Sequence, residues 1–290
     1  GYLRQQGLLE NSGLQRINGR INASHSTFDD RLRLTLNLTA SYFQRNHAFF
    51  NQGGGFEGGA IKGMIAFDPR LPIQTDGEFT EYSNNIRNPV ALLTRINDIT
   101  DQNRILGNFS TEVDITDALT AKGTIGVDVG DAIRRTYIPG SGPEQWVGRA
   151  TNGLARQAER ALSNIVLQST LQYDREVFSG QNLSALAGFE YQRETFQEVG
   201  AEVQNFVSDV LDFNNLGAGV EVQPSFSNKQ LVTLLSFFGR VNYNVQDTYL
   251  FTATLRRDGS SVFGADEKFA WFPSASAAWR PSNEPFMESM

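Results

Sequence analysis

Cysteine is absent from the 290 residues, and histidine occurs only at His25 and His47. Those absences remove a disulfide framework and thiolate metal sites. Basic residues are also scarce, 25 against 32 acidic ones, for a net charge of -7. A nucleic-acid binder needs clustered Lys and Arg against phosphate, so that class is disfavoured. No apolar run approaches the ~18 residues of a membrane helix, and the mean hydropathy is -0.34. A transmembrane β-strand passes this test, because it needs only ~9–11 residues with every second one apolar. The opening residues, Gly1 to Gln6, show no basic stretch leading into an apolar core, so no signal peptide is visible. Together with the closing "SNEPFMESM", this reads as an internal piece of a longer chain.

What the sequence does have is alternation. In "RLRLTLNLTASYF", residues 31–43, Leu32, Leu34, Leu36, Leu38, Ala40 and Tyr42 share one parity. Arg31, Arg33, Thr35, Asn37, Thr39 and Ser41 share the other. A period of two puts these sets on opposite faces of a strand. Similar segments predict strands over 14–25, 31–46, 104–115, 119–130, 160–175, 182–195, 231–245, 248–258 and 269–280. The fold class is therefore all-β. Short links at 26–30, 116–118, 176–181 and 246–247 alternate with long ones at 47–103, 131–159, 196–230 and 259–268. An antiparallel up-and-down meander orders its loops in this way, with one end trimmed and the other elaborated.

Two further features separate a membrane barrel from a soluble sheet. The polar parity carries Asn, Gln, Ser, Thr, Arg and Asp instead of the Lys and Glu of a wet surface, and several strands are about twice the ~5–6 residues usual in soluble proteins. Aromatic residues fall at strand ends. Phe28, Tyr173, Phe178, Tyr243 and Tyr249 lie beside short turns, and Tyr42, Phe43, Phe189, Tyr191 and Trp271 lie toward long loops. Two girdles at membrane–water boundaries have this layout. Ordinary core packing of these rings is the competing explanation.

The long loops have their own patterns. Residues 56–77 open on glycine and then predict a short helix ending before Pro69; residues 87–98 predict another, with Pro89 in its first turn. "QGGGFEGG", 52–59, lacks the Gly-Lys-Ser/Thr and the strand–helix setting of a phosphate loop. Asp29 and Asp30 suit a tight turn. "SDVLDFNN", 208–215, offers oxygen ligands but neither the Gly nor the distant Glu of an EF-hand. No Ser–His–Asp arrangement is evident. Neither a metal nor a cofactor is expected, and nothing points to an enzyme.

Residues 249–287, "YLFTATLRRDGSSVFGADEKFAWFPSASAAWRPSNEPFM", resemble the barrel signature of SusC/RagA-like proteins, the TonB-linked outer-membrane transporters of Bacteroidetes. "NPVALL", 88–93, is similar to a second recurring segment of that family. The resemblance implies a 22-stranded transmembrane barrel, of which residues 1–290 would be one partial domain without the plug and final strands. It also implies an outer-membrane site in a Gram-negative bacterium, a SusD-like lipoprotein lid, coupling to TonB through the plug, and import of a glycan or oligopeptide. A passive porin-like barrel and a soluble carbohydrate-binding module are the alternatives. Candidate substrate contacts are Phe49, Phe50, Phe56 and Trp146 in the loops, and Arg33, Asn37, Gln168, Arg240 and Asn242 along the lumen. In "TLRRDGSSVFG", parity places Arg256 and Asp258 on the lumen side and Arg257 outward, where lipid headgroups or lipopolysaccharide phosphate would be in reach. Pro273 removes a ladder donor and is a candidate bulge.

Overall fold

The computed structural model describes residues 1–48, 59–82, 86–141, 150–264 and 266–287. Its strands are β1 (Tyr2–Gln6), β2 (Gly13–Thr27), β3 (Leu32–Asn46), the small pair β4 (Gln74–Thr75) and β5 (Glu78–Phe79), β6 (Asn97–Thr116), β7 (Leu119–Ile138), β8 (Leu154–Phe178), β9 (Gln181–Phe206), β10 (Gly219–Val222), β11 (Phe226–Val245), β12 (Tyr249–Ser260) and β13 (Phe269–Trp279). The predicted loop helices are α1 (Ala60–Ala66) and α2 (Pro89–Arg95).

The long strands form one antiparallel sheet in the order β1-β2-β3-β6-β7-β8-β9-β11-β12-β13, each paired with its neighbour in sequence. β10 pairs with β9 in the lane that β11 continues. All nine predicted strands are present, and the sheet adds β1 and β10. The largest differences lie at the long-loop end. β6 begins at Asn97, β7 runs on to Ile138, β8 begins at Leu154 and β9 reaches Phe206, so much of the expected loops at 131–159 and 196–230 is strand. In these extensions both faces carry polar residues, and the alternation that reveals a strand disappears. Pairing also runs through Leu255↔Pro273 with no shift in register, so Pro273 makes no bulge.

The short turns are tight. Phe28, Asp29 and Asp30 all have positive φ, as do Gln246 and Asp247, a conformation that turn Asp residues tolerate.

Register decides which side chains share a face, because directly opposed residues project together. Leu36, Phe109, Ile125, Leu167, Tyr191 and Leu235 form one continuous row across six strands. One residue along, Thr35, Ser110, Thr124, Gln168, Glu190, Ser236 and Asp258 form a row on the other face. The sheet thus has a leucine face and a polar face. Among the described residues nothing is stacked on the leucine face: Phe109 is 44% exposed, Ile125 49% and Phe251 48%. The buried hydrophobic clusters lie at the long-loop end, away from this band.

The band has edges. On the leucine face, β3 passes from Tyr42 to Gln44, β6 from Ile105 to Asn103, β7 from Val129 to Asp131, β9 from Tyr191 to Arg193 and β12 from Leu255 to Arg257. At the other edge Tyr249 and Trp279 are opposed, and both donate hydrogen bonds to Glu284, at 2.6 and 2.9 Å. Phe43 departs from the girdle expected of it, since it opposes Gln102 on the polar face.

Candidate functional site

The polar face is the surface on which a solute could be held. Near the short turns its charges neutralise one another. Arg33 pairs with Glu112 at 2.6 Å and Asp114 at 2.7 Å, and Lys122 joins Glu112 at 3.2 Å. Asn37 donates to Asn108, Gln168 to Glu190, and Asn242 accepts from Thr252. Arg256 reaches Asp258 at 2.6 Å and Ser236 at 3.0 Å. Arg240 stands on the same face, exposed, with no polar partner among the described residues. All five lumen candidates from the sequence therefore share this face, but four of them are already tied into cross-strand contacts.

Toward the long loops the polar face holds a cavity of about 640 Å³. Arg104–Asp128 and Arg134–Asp98 are bidentate ion pairs, each with a closest contact of 2.6 Å, and Arg160–Glu198 closes at 2.7 Å. Two arginines of the lining have no ion pair among the described residues: Arg45 is exposed, and Arg156 lies over the Phe226 ring at 5.3 Å. Alternating charges of this kind bind polar, hydrogen-bonding solutes without a net preference for one sign. His47, at the cavity rim, contacts the Thr100 hydroxyl at 2.8 Å. Burial pushes its imidazole below the ordinary value, against the pull of Asp98.

Two small cores fix the loops around this cavity. On the polar face, Ile138 and Leu154 pack with Ala91, Leu92 and Leu93 of α2 and with Ala60 of α1. Asn88 caps α2, accepting from the Val90 and Ala91 amides while donating to the carbonyls of Ile73 and Thr80. On the leucine side, above the band, Tyr137, Ala155, Val203 and Phe206 are covered by Phe213. Phe213 belongs to a 3₁₀ turn, Asp209–Asn214, pinned by Asp209. The Asp209 carboxylate accepts from Tyr137 at 2.7 Å and from the amides of Gly140 and Ser141 at 2.8 and 3.0 Å. Burial opposes its charge, but these donors outweigh burial and hold the carboxyl below the usual range. Asp212 accepts from Asn97 at 2.7 Å. The acidic groups of 208–215 thus serve as loop pins. Among the described residues no three His, Asp or Glu side chains gather as a metal site.

No protein-family model matches the chain. Several curated proteins nonetheless resemble it along almost its whole length. A TonB-dependent receptor P3 of Formosa agariphila is 32% identical over 298 residues, 99% of this chain and 29% of that protein. The TonB-dependent receptor SusC of Bacteroides thetaiotaomicron is 26% identical over 320 residues, 100% of this chain and 30% of that protein. Among solved structures, the RagAB peptide transporter superposes with a TM-score of 0.79 at 22% identity, over 99% of this chain and 32% of that one.

Along its whole length the chain is similar to SusC/RagA-like TonB-dependent receptors.

It spans less than a third of each of these relatives. The fold of a SusC/RagA-like barrel accounts for the open meander with two uncovered sheet edges. All four loop candidates, Phe49, Phe50, Phe56 and Trp146, lie outside the described residues. Sequence reading missed the cavity group Asp98–Arg134 and the loop pins Asn88 and Asp209. Asp98 sits beyond the alternating stretch of its strand, and a pin is recognisable only from its distant partners. Asn88 alone left a local signal, an Asn immediately before Pro89 at a helix start.

Proposed function

We propose that this chain is part of the barrel wall of an outer-membrane, TonB-dependent transporter that imports a large nutrient, a glycan or an oligopeptide. The observation that carries the reading is the leucine face. It is one layer thick, uncovered, bounded by rings, and backed by a charge-paired polar face. From Tyr249 to Arg257 the strand climbs about 27 Å at ~3.4 Å per residue. A barrel tilt of ~35–45° reduces that to about 20 Å of height, near the ~25 Å apolar band of outer-membrane barrels.

In this reading the leucine face meets lipid and the polar face lines the lumen. The cavity beneath the long loops lies where solute enters, and Arg45, Arg156 and Arg240, which have no ion pair among the described residues, would meet it. Loop residues Phe49, Phe50, Phe56 and Trp146 would offer rings to sugar faces or peptide side chains. A plug carried elsewhere in the protein would couple to TonB, and a SusD-like lipoprotein would close over the loops.

Expression of the intact protein with its lid in a Gram-negative host tests this. Labelled glycan and oligopeptide pools should accumulate in the periplasm, and accumulation should stop when the TonB complex is deleted. Uptake that persists without TonB would indicate a passive porin, and recovery of the protein from the soluble fraction would end the membrane reading.

A further inference from the structure

We propose that the leucine side of β12 and β13 carries a binding site for the phosphate group of a membrane lipid, with the Arg257 guanidinium as donor. This rests on the membrane reading above. Arg257 opposes Phe237 on one side and Trp271 on the other, so it projects from the leucine face. Below it on that face stand Leu255, Ala253, Phe251 and Tyr249, and it is the first charge above them. A cation there meets lipid headgroups.

The side chain is held in place without being neutralised. Its guanidinium carbon lies 4.5 Å from the centre of the Phe269 ring and 5.3 Å from that of Trp271. The neighbouring carboxylates cannot serve it: Asp258 and Glu190 project from the other face, where they contact Arg256. No acidic group pairs with Arg257 among the described residues, and its Nε is buried without a hydrogen-bond partner.

The geometry also selects the acceptor. With its Nε covered, the donors this guanidinium leaves for an acceptor are its two terminal NH2 groups, which lie in one plane. A phosphate takes two of them side by side in a bidentate, charge-assisted pair. Gly259 makes the arrangement possible. A Cβ at this position would come within 2.4 Å of the Phe269 ring, so only glycine lets the ring lie across β12 toward Arg257. Arg193, on the same face and the first charge above Tyr191, is a second cation at the band's upper edge, whose β7 position carries Asp131.

The intact protein, delipidated in detergent and inserted into vesicles of a phosphate-free glycolipid, is titrated with lipopolysaccharide, phosphatidylglycerol or inorganic phosphate, and bound lipid is read by native mass spectrometry. Arg257→Gln should weaken binding of the phosphorylated lipid about tenfold and leave the glycolipid background unchanged; Arg257→Lys, which keeps the charge without the fork, should fall between. Trp271→Leu keeps the cation and removes one ring, and it should also weaken binding if Arg257→Gln fails to insert. Of the two lipids, the one whose retention depends on Arg257 identifies the ligand. Equal retention of both lipids by wild type and variants overturns the proposal, as does free phosphate binding as tightly as lipid. If the wild-type protein does not insert at all, the membrane reading fails instead.

Discussion

Asn88 satisfies four backbone groups at once and is almost wholly buried, 1% exposed. Asn88→Ala removes the cap of α2 and strands two carbonyls, for a local loss of about 2–4 kcal/mol. Amide hydrogen exchange should speed up across 88–95 while the strands stay protected. Asp209 gives a pH dependence. Its carboxyl lies below the unfolded value of about 3.9, so its contribution is fully present above that pH and is lost as pH falls through the folded value. The 3₁₀ turn over Asp209–Asn214 should therefore stay protected from pH 5 to pH 8 by amide exchange and open below about pH 4. Asp209→Asn should abolish that acid step. Protection that falls between pH 6 and pH 5 would contradict this account. The Tyr137 hydroxyl, pushed up by burial and by Asp209, remains a donor throughout.

In the proposed barrel, individual strands would carry the division between lipid and lumen. Leu36, mid-band on β3, and Asn37, beside it on the opposite face, make a matched pair. Leu36→Arg should lower folding stability in lipid vesicles by about 2–4 kcal/mol, the cost of a cation near the bilayer midplane. Asn37→Arg, facing water, should cost well under half of that. Urea titration monitored by tryptophan fluorescence measures both, and equal costs would refute the assignment of faces. The strand cores were legible because apolar and polar residues alternate wherever the two faces meet different media. That contrast ends above the band. In β9, Gln197 and Glu198 put polar residues on both parities just beyond Thr195, so the pattern is interrupted there while the backbone ladder to β8 and β11 continues. The missed strands have the same cause, being short or polar on both faces.

The long strands form one sheet with exposed apolar area on one side and open edges at β1 and β13. Residues 1–290 produced alone should aggregate in plain buffer and become monodisperse only in detergent. A monomeric species in buffer by light scattering would sink the barrel reading and favour a soluble module. What the sequence by itself determined was the all-β meander, the two-faced pattern of its strands and the positions of both loop helices. These follow from local rules: period-two alternation, turn residues, a proline at a helix start. What only the tertiary structure decided was which charges are cancelled and which are free. Arg33 and Arg45 look alike along the chain, yet Arg33 meets Glu112 and Asp114 across 79 and 81 residues while Arg45 meets no carboxylate among the described residues. Ion pairing depends on register between distant strands, and no stretch of sequence shorter than the sheet records it.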